Sequence, residues 1–290
     1  STSLRTAGDK VLAGAAEAAS LIVQRLVGTD GGSGLCSVLG TSIKCGPSFA
    51  ALANGTAAHA LDFDDMCWIS LAHPSAPLVS STLALGEMAD VSGRDFLDAY
   101  VVGFEIEAVL GRTMNPLHYT RGWHGTATIG TLGAAAAASR VLGLDTETTG
   151  RALAIASSEA SGLKENFGTM VKPLQGGLAA RNGVLAALLA REGFSASVHA
   201  IDGTQGLLIA MQSSGTDLKD GCEQLGKRWE IVEGGITMKL YPSCAATHPT
   251  IDTLIDLRRE MNVAPSEIES VEISVDSVTP TVLIYSQPIN

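Results

Sequence analysis

The stretch Gly122-Trp-His-Gly-Thr-Ala-Thr-Ile-Gly-Thr-Leu-Gly-Ala-Ala-Ala-Ala-Ala-Ser-Arg-Val-Leu142 decides the fold. Alanine is the best helix former, so the run from Trp123 to Leu142 predicts a helix. Its side chains are too small to fill a core alone, so it predicts other helices packed closely around it. The apolar part, Gly130 to Ser139, falls short of the roughly 18 apolar residues of a membrane span. Outward from this segment the composition agrees. Of 290 residues, 46% are hydrophobic and only 4% aromatic, a bias toward close-packed helices rather than a β-sandwich.

Apolar spacing predicts further helices over Asp9–Val27, Pro47–Leu61, Ser75–Met88, Ser92–Arg112, Asp145–Ser161, Pro173–Leu189, Asp202–Gln212 and His248–Met261. Polar and glycine-rich segments at 30–34, 62–74, 115–122 and 164–172 read as loops, and 35–43 as a short strand or irregular chain. Near Gly234 the character changes. Val271, Ile273 and Val275 alternate with polar residues, and Thr281–Tyr285 could be a second strand. The expected fold is therefore mainly α. A large all-helical domain over 1–235 is followed by a smaller α+β domain over 236–290, whose two strands make an incomplete sheet.

The formal net charge is −11, which argues against nucleic acid and anionic membranes as partners. It would also repel an acidic substrate, so any site for one needs local cations. Lysine and arginine together number only 19. The N-terminus lacks an apolar leader, and the five cysteines show no CxxC or zinc spacing. Reduced thiols and a cytoplasmic location are the expectation.

Four constellations carry chemistry. His59-Ala-Leu-Asp62-Phe-Asp64-Asp65, with His73-Pro74, sets carboxylates beside imidazoles, as proton transfer requires. A solvated loop whose aspartates cap the next helix gives the same pattern. Arg121-Gly-Trp-His124-Gly-Thr126 puts a histidine at a helix start, where an anion is favoured; a histidine packed on Trp123 is the plainer account. Met170-Val-Lys172-Pro173-Leu-Gln-Gly-Gly, running into Arg181-Asn-Gly183, offers a lysine beside a helix N-terminus, although most lysines only face solvent. Lys239-Leu-Tyr-Pro-Ser-Cys244-Ala-Ala-Thr-His248 groups an ammonium, a thiol and an imidazole, but lacks the further ligands of a metal site. Gly221–Arg228 nearly matches a phosphate loop, but Arg228 replaces the hydroxyl residue that binds magnesium.

In this order and at these separations the four segments resemble the MmgE/PrpD family. The matching stretches are Asn54–Asp65 with Ala72-His-Pro-Ser75, Gly122–Thr126, Lys172–Gly177 with Ala180–Gly183, and Lys239–Cys244. The family includes 2-methylcitrate dehydratase, cis-aconitate decarboxylase and iminodisuccinate epimerase. The resemblance implies a helical domain, a smaller α+β lid domain, and an active site between them in a chain longer than this one. It places Asp62, His73, His124, Lys172, Lys239 and Tyr285 at active-site positions. Cys244 stands where the decarboxylase branch has a histidine, and Met66 where it has a polar residue.

The implied chemistry is proton movement at a carbon next to a carboxylate. The catalytic candidates are His73, His124, Asp62 and Tyr285. The substrate-binding candidates are Lys172, Lys239, Arg181 and Cys244. No metal and no cofactor are expected; the expected partners are a small polycarboxylate and a second copy of the chain in a homodimer. The leading expectation is a metal-independent dehydratase of a 2-methylcitrate-like acid. The others are an epimerase of an iminodisuccinate-like dicarboxylate and a truncated, non-catalytic dimerising protein.

Overall fold

A computed structural model describes residues 12–211, 218–261, 263–277 and 279–283. The chain divides into two compact units, Ser1–Met238 and Lys239–Asn290. In the first unit the elements are α1 (Ala18–Asp30), β1 (Cys36–Ser37), β2 (Lys44–Cys45), α2 (Pro47–His59), α3 (Ser75–Ala89), α4 (Gly93–Met114), α5 (Leu117–Thr120), α6 (Gly125–Val141), α7 (Thr146–Glu159), α8 (Val171–Arg191), α9 (Leu207–Ala210), α10 (Leu218–Gln224) and α11 (Glu230–Glu233). The second unit contains α12 (His248–Met261) and α13 (Thr279–Val282). The molecule is mainly helical. The one sheet among the described residues is a two-stranded antiparallel pair with Cys36 opposite Cys45.

The alanine-rich segment forms α6, and nearly all of its residues are buried. It packs against α3, α4, α7 and α8, while α2 lies along α8. The crossings are as close as backbones allow. A Cβ added to Gly177 of α8 would sit 2.3 Å from the Leu52 carbonyl oxygen and from Thr56 Oγ1 on α2. One added to Gly55 would meet the Gly177 Cα at 2.8 Å. One added to Gly183 would lie 2.4 Å from Ala134 Cβ of α6. Small residues here bring helix axes together, and dispersion between backbones replaces contact between large side chains.

Caps follow the sequence. Ser92 Oγ accepts the Asp95 N–H at 3.2 Å and starts α4, while Asp145 Oδ1 accepts the Thr148 N–H at 2.7 Å and starts α7. Several expectations need correction. The helix expected over 9–27 is broken at 15–17, where Gln24 Nε2 donates to the Ala15 carbonyl at 2.9 Å and Gly14 rests against the Ala57 carbonyl. Of the helix expected over 202–212, only α9 forms. The loop expected over 115–122 contains α5. No strand forms over Val271–Val275: that stretch is irregular and exposed, since a strand needs a partner for its backbone groups and none is present among the described residues. It lines a cleft of about 410 Å³ with α12. Residues 279–282, partly expected as strand, make the helical turn α13, and Tyr285 lies outside the described residues. No helix among the described residues is long and apolar enough to cross a membrane.

The α2–α8 approach predicts a contrast. Gly177→Val should lower unfolding free energy by about 3 kcal/mol or more, since the branched side chain meets fixed backbone. Gly150→Ala, in α7 with nothing within 4 Å of the added Cβ, should raise it by about 0.5–1 kcal/mol. Urea denaturation of the two variants checks both signs.

Candidate active site

The α2–α8 crossing sets the site. His59 ends α2 one turn beyond Gly55, and Gly176 of α8 leaves room for its ring: a Cβ there would stand 3.2 Å from His59 Cβ. The loop 60–74 returns carboxylates to this point. Asp64 Oδ2 lies 2.6 Å from His59 Nδ1, with both side chains buried. Asp64 Oδ1 is 3.4 Å from His73 Nδ1. His73 Nδ1 donates to the Asp65 carbonyl at 2.8 Å, and its main-chain N–H donates to Thr126 Oγ1 at 2.9 Å. The Asp65 carboxylate accepts from both the N–H and the hydroxyl of Ser75, and that hydroxyl also meets Tyr100 OH at 2.7 Å. Asp65 therefore fastens both ends of the loop that carries His73.

Lys172 enters from the first turn of α8. A cation is disfavoured there by the helix dipole, and Asp62 compensates: Lys172 Nζ lies 2.8 Å from Asp62 Oδ1. Asp62 Oδ1 is also 3.8 Å from His73 Nε2. Asp62 has a left-handed backbone, φ 48°, which turns the chain sharply out of α2. Phe167 lies below the ammonium, 5.1 Å from it, and also touches the His124 ring edge-on.

His124 is the N-cap of α6. Its N–H donates to the Gly162 carbonyl at 3.0 Å, within a short bridge that pairs Trp123 with Leu163. Its ring Nδ1 meets Gln175 Oε1 at 2.6 Å. The Gln175 amide nitrogen donates to the Leu163 carbonyl at 3.2 Å, which fixes the amide orientation and makes Nδ1 of His124 the donor. Burial holds the His124 imidazole well below its ordinary titration range, helped by His59, Lys172 and His73 nearby; Gln175 opposes this. It is therefore neutral near pH 7. The three rings adjoin in sequence: His73 is tilted against His59 at 4.8 Å between centroids, and His59 stacks on His124 at 5.6 Å. His73, Asp62 and Lys172 keep some exposure, whereas His59 and His124 lie beneath them.

Of the residues expected from sequence, Asp62, His73, His124 and Lys172 come together. Arg181 does not: it lies about 13 Å further along α8 and binds the Asn182 side chain. Lys239 and Cys244 belong to the second unit, where His248 Nε2 meets the Ser243 carbonyl at 3.3 Å. Tyr285 lies outside the described residues. The first motif already contained His59, Asp64 and Asp65 but gave them no role in the site, and Gln175 was not singled out. Gln175 stands three residues after Lys172, on the same helix face, and that spacing could have found it. His59, Asp62, Asp64 and His73 each offer one ligand atom, and these four atoms lie within 4.8 Å of one another, close enough to surround a divalent ion. Because the Lys172 ammonium already neutralises Asp62, we read the group as an acid–base array. A separate cleft of about 290 Å³ between α4 and α10 contains Arg112 and Arg228, both paired with Glu230.

A family model described as the MmgE/PrpD N-terminal domain matches residues 6–219. A cis-aconitate decarboxylase-like protein of Aspergillus oryzae is 34% identical over 241 residues, covering 78% of this chain and 50% of its own length. The cis-aconitate decarboxylase of Homo sapiens is 32% identical over 230 residues, covering 76% and 46%. That of Aspergillus terreus is 32% identical over 247 residues, covering 78% and 48%. The chain thus spans about half the length of the curated relatives it matches.

Beneath the rings, His118 is buried, with Nε2 2.7 Å from Thr128 Oγ1 and its ring stacked on Trp123. Burial pushes its titration down to about 4. The unfolded chain binds a proton near pH 6.5 that the folded chain refuses, so this residue costs stability as pH falls. Relative to His118→Gln, the native chain should lose about 2 kcal/mol of stability between pH 7 and pH 5. Denaturant titrations at the two pH values check the difference.

Proposed function

The chain belongs to the MmgE/PrpD family, and from that premise we propose that it supplies the proton-transfer centre of a lyase acting on small polycarboxylic acids. The observation that carries this reading is the Lys172–Asp62–His73 array. One ammonium, one carboxylate and one imidazole meet at a partly exposed point of an otherwise acidic chain.

A carbanion beside a carboxylate is too unstable to form unless positive charge meets the electrons as they arrive. Lys172 is that charge. An incoming substrate carboxylate competes with Asp62 for it, and Asp62 then turns to His73 or to a substrate hydroxyl. The reaction we place first is decarboxylation of an unsaturated tricarboxylate of the cis-aconitate type, in line with the relatives' names. The bond to the departing carboxylate breaks and carbon dioxide leaves. The electron pair passes into the remaining conjugated carboxylate, and protonated His73 returns a proton to carbon. The second reading is dehydration of a 2-methylcitrate-like acid; Cys244, at the position where the decarboxylase branch has a histidine, weighs against the first reading without choosing between dehydration and epimerisation. In the dehydration neutral His73 takes the carbon-bound proton and hydroxide leaves with a proton from a second acid. The proposal includes a cytoplasmic homodimer and operation without a metal, with Lys239 and Tyr285 as further substrate contacts.

Proton NMR in heavy water with cis-aconitate, 2-methylcitrate, citrate and iminodisuccinate tests the reading. Loss of carbon dioxide with deuterium in the product supports the first reaction, and loss of water the second. Exchange with neither would make the chain an epimerase. No turnover of any acid would sink the lyase. On the acid that reacts, Lys172→Met should lower kcat/KM at least about 100-fold, with little change in melting temperature. Dialysis against a chelator should leave the rate unchanged; a loss restored by a divalent ion would contradict metal independence.

A further inference from the structure

Each of the three adjoining imidazoles is fixed through Nδ1. His59 is held by Asp64 Oδ2 at 2.6 Å, His73 by the Asp65 carbonyl at 2.8 Å, and His124 by Gln175 Oε1 at 2.6 Å. Two of these acceptors are neutral and bring no net charge to a neighbouring ring. The third is a carboxylate, and its reach extends beyond its own histidine: Asp64 Oδ1 stands 3.4 Å from His73 Nδ1. Both Asp64 and His59 are buried, so water screens this charge little. His59 has no solvent-facing surface, and its Nε2 meets no donor among the described residues. Its ring, against Gly176, cannot retreat without meeting the backbone of α8.

We propose that Asp64 is a positioning residue of this site, a single buried carboxylate that anchors His59 and also stabilises a proton held by His73. This rests on the acid–base reading of the array above. Other charged and titratable groups also face His73. Asp62 from the same loop lies 3.8 Å from Nε2, Lys172 from α8 is paired with Asp62, His59 from α2 stands beside it, and His124 from the start of α6 lies beyond His59. Asp62 is tied to a cation, whereas Asp64 is tied to an imidazole. Asp64 therefore adds to His73 a negative charge that Lys172 does not directly offset. In either lyase reaction His73 must hold a proton at some stage, and Asp64 extends the pH range over which it does.

The test is the titration of the individual histidine rings, followed by carbon–proton NMR in the whole chain and needing no turnover. Asp64→Asn keeps an oxygen to accept the His59 hydrogen bond, removes the charge, and replaces the oxygen that faces His73 with an amide nitrogen. In that variant the His73 ring should titrate at least about one pH unit lower than in the native chain. A His73 titration that does not move, in a folded D64N protein, overturns the proposal. Should D64N fail to fold, His59→Asn decides. It retains a side-chain donor for Asp64 while deleting the ring, so His73 should titrate at or above its native position; a fall below it overturns the proposal. Where an acid of the panel is turned over, D64N should lower kcat about tenfold or more with KM within about twofold, and the acid limb of its rate profile should follow the His73 ring. If the rings shift as expected and no acid reacts, the lyase reading fails while the role of Asp64 stands.

Discussion

The contact on which the rest of this structure depends is the meeting of α2 and α8 at Gly55 and Gly177, where neither helix can carry a side chain. It fixes more than stability. His59 lies one turn after Gly55, and Lys172, Gln175 and Gly176 lie just before Gly177. The crossing therefore brings the end of one helix and the start of another to the same place. The loop 60–74 is constrained on both sides, by Asp62 on Lys172 and by Asp65 on Ser75. The loop that carries Asp62, Asp64 and His73 is tied to these two helix ends, to Ser75 at the start of α3 and to Thr126 in the first turn of α6, and rigid elements locate chemistry better than loops do.

The same packing explains the electrostatics. An alanine-rich core keeps water out without bulky side chains, so imidazoles placed in it are desolvated. His118 and His124 respond by staying neutral, the first beside a hydroxyl and the second beside an amide. Glu107, wholly buried on α4 and pressed against Gly133, responds in the opposite way: burial raises its carboxyl well above the usual range, with Asp65 adding to the effect. Where the array reaches the surface, opposite charges are paired at Lys172 and Asp62. A chain of net charge −11 thus presents an ammonium where an acid could meet it.

How much of this was legible in the sequence depended on the range of the interactions. Helix identity is local. The alanine run of α6, the proline opening α2 and the Ser92 and Asp145 caps were readable, with ends shifted by a few residues. Asp62, His73, His124 and Lys172 could be picked out because each sits in a motif with its own spacing, and the structure gathers them. Their supports were harder to read. Asp64 and Asp65 look equivalent in sequence, yet one faces two imidazoles and the other a serine, a difference set by how the loop folds back. Arg181 shares a motif with Lys172 but lies turns away on the same helix, so proximity in sequence misled. The alternation at Val271–Val275 was a genuine strand pattern, but pairing is a property of two segments, and alternation in one cannot supply the other.

Asp62 sits where two demands conflict. Its left-handed backbone suits glycine best, asparagine and aspartate next, and a branched residue least. Glycine would relieve the conformational cost and delete the carboxylate that holds Lys172. A library of variants sorted only for resistance to heat should therefore drift toward glycine at this position, and one sorted for turnover should return to aspartate. The disagreement between the two enriched alphabets would show which selection shaped the turn.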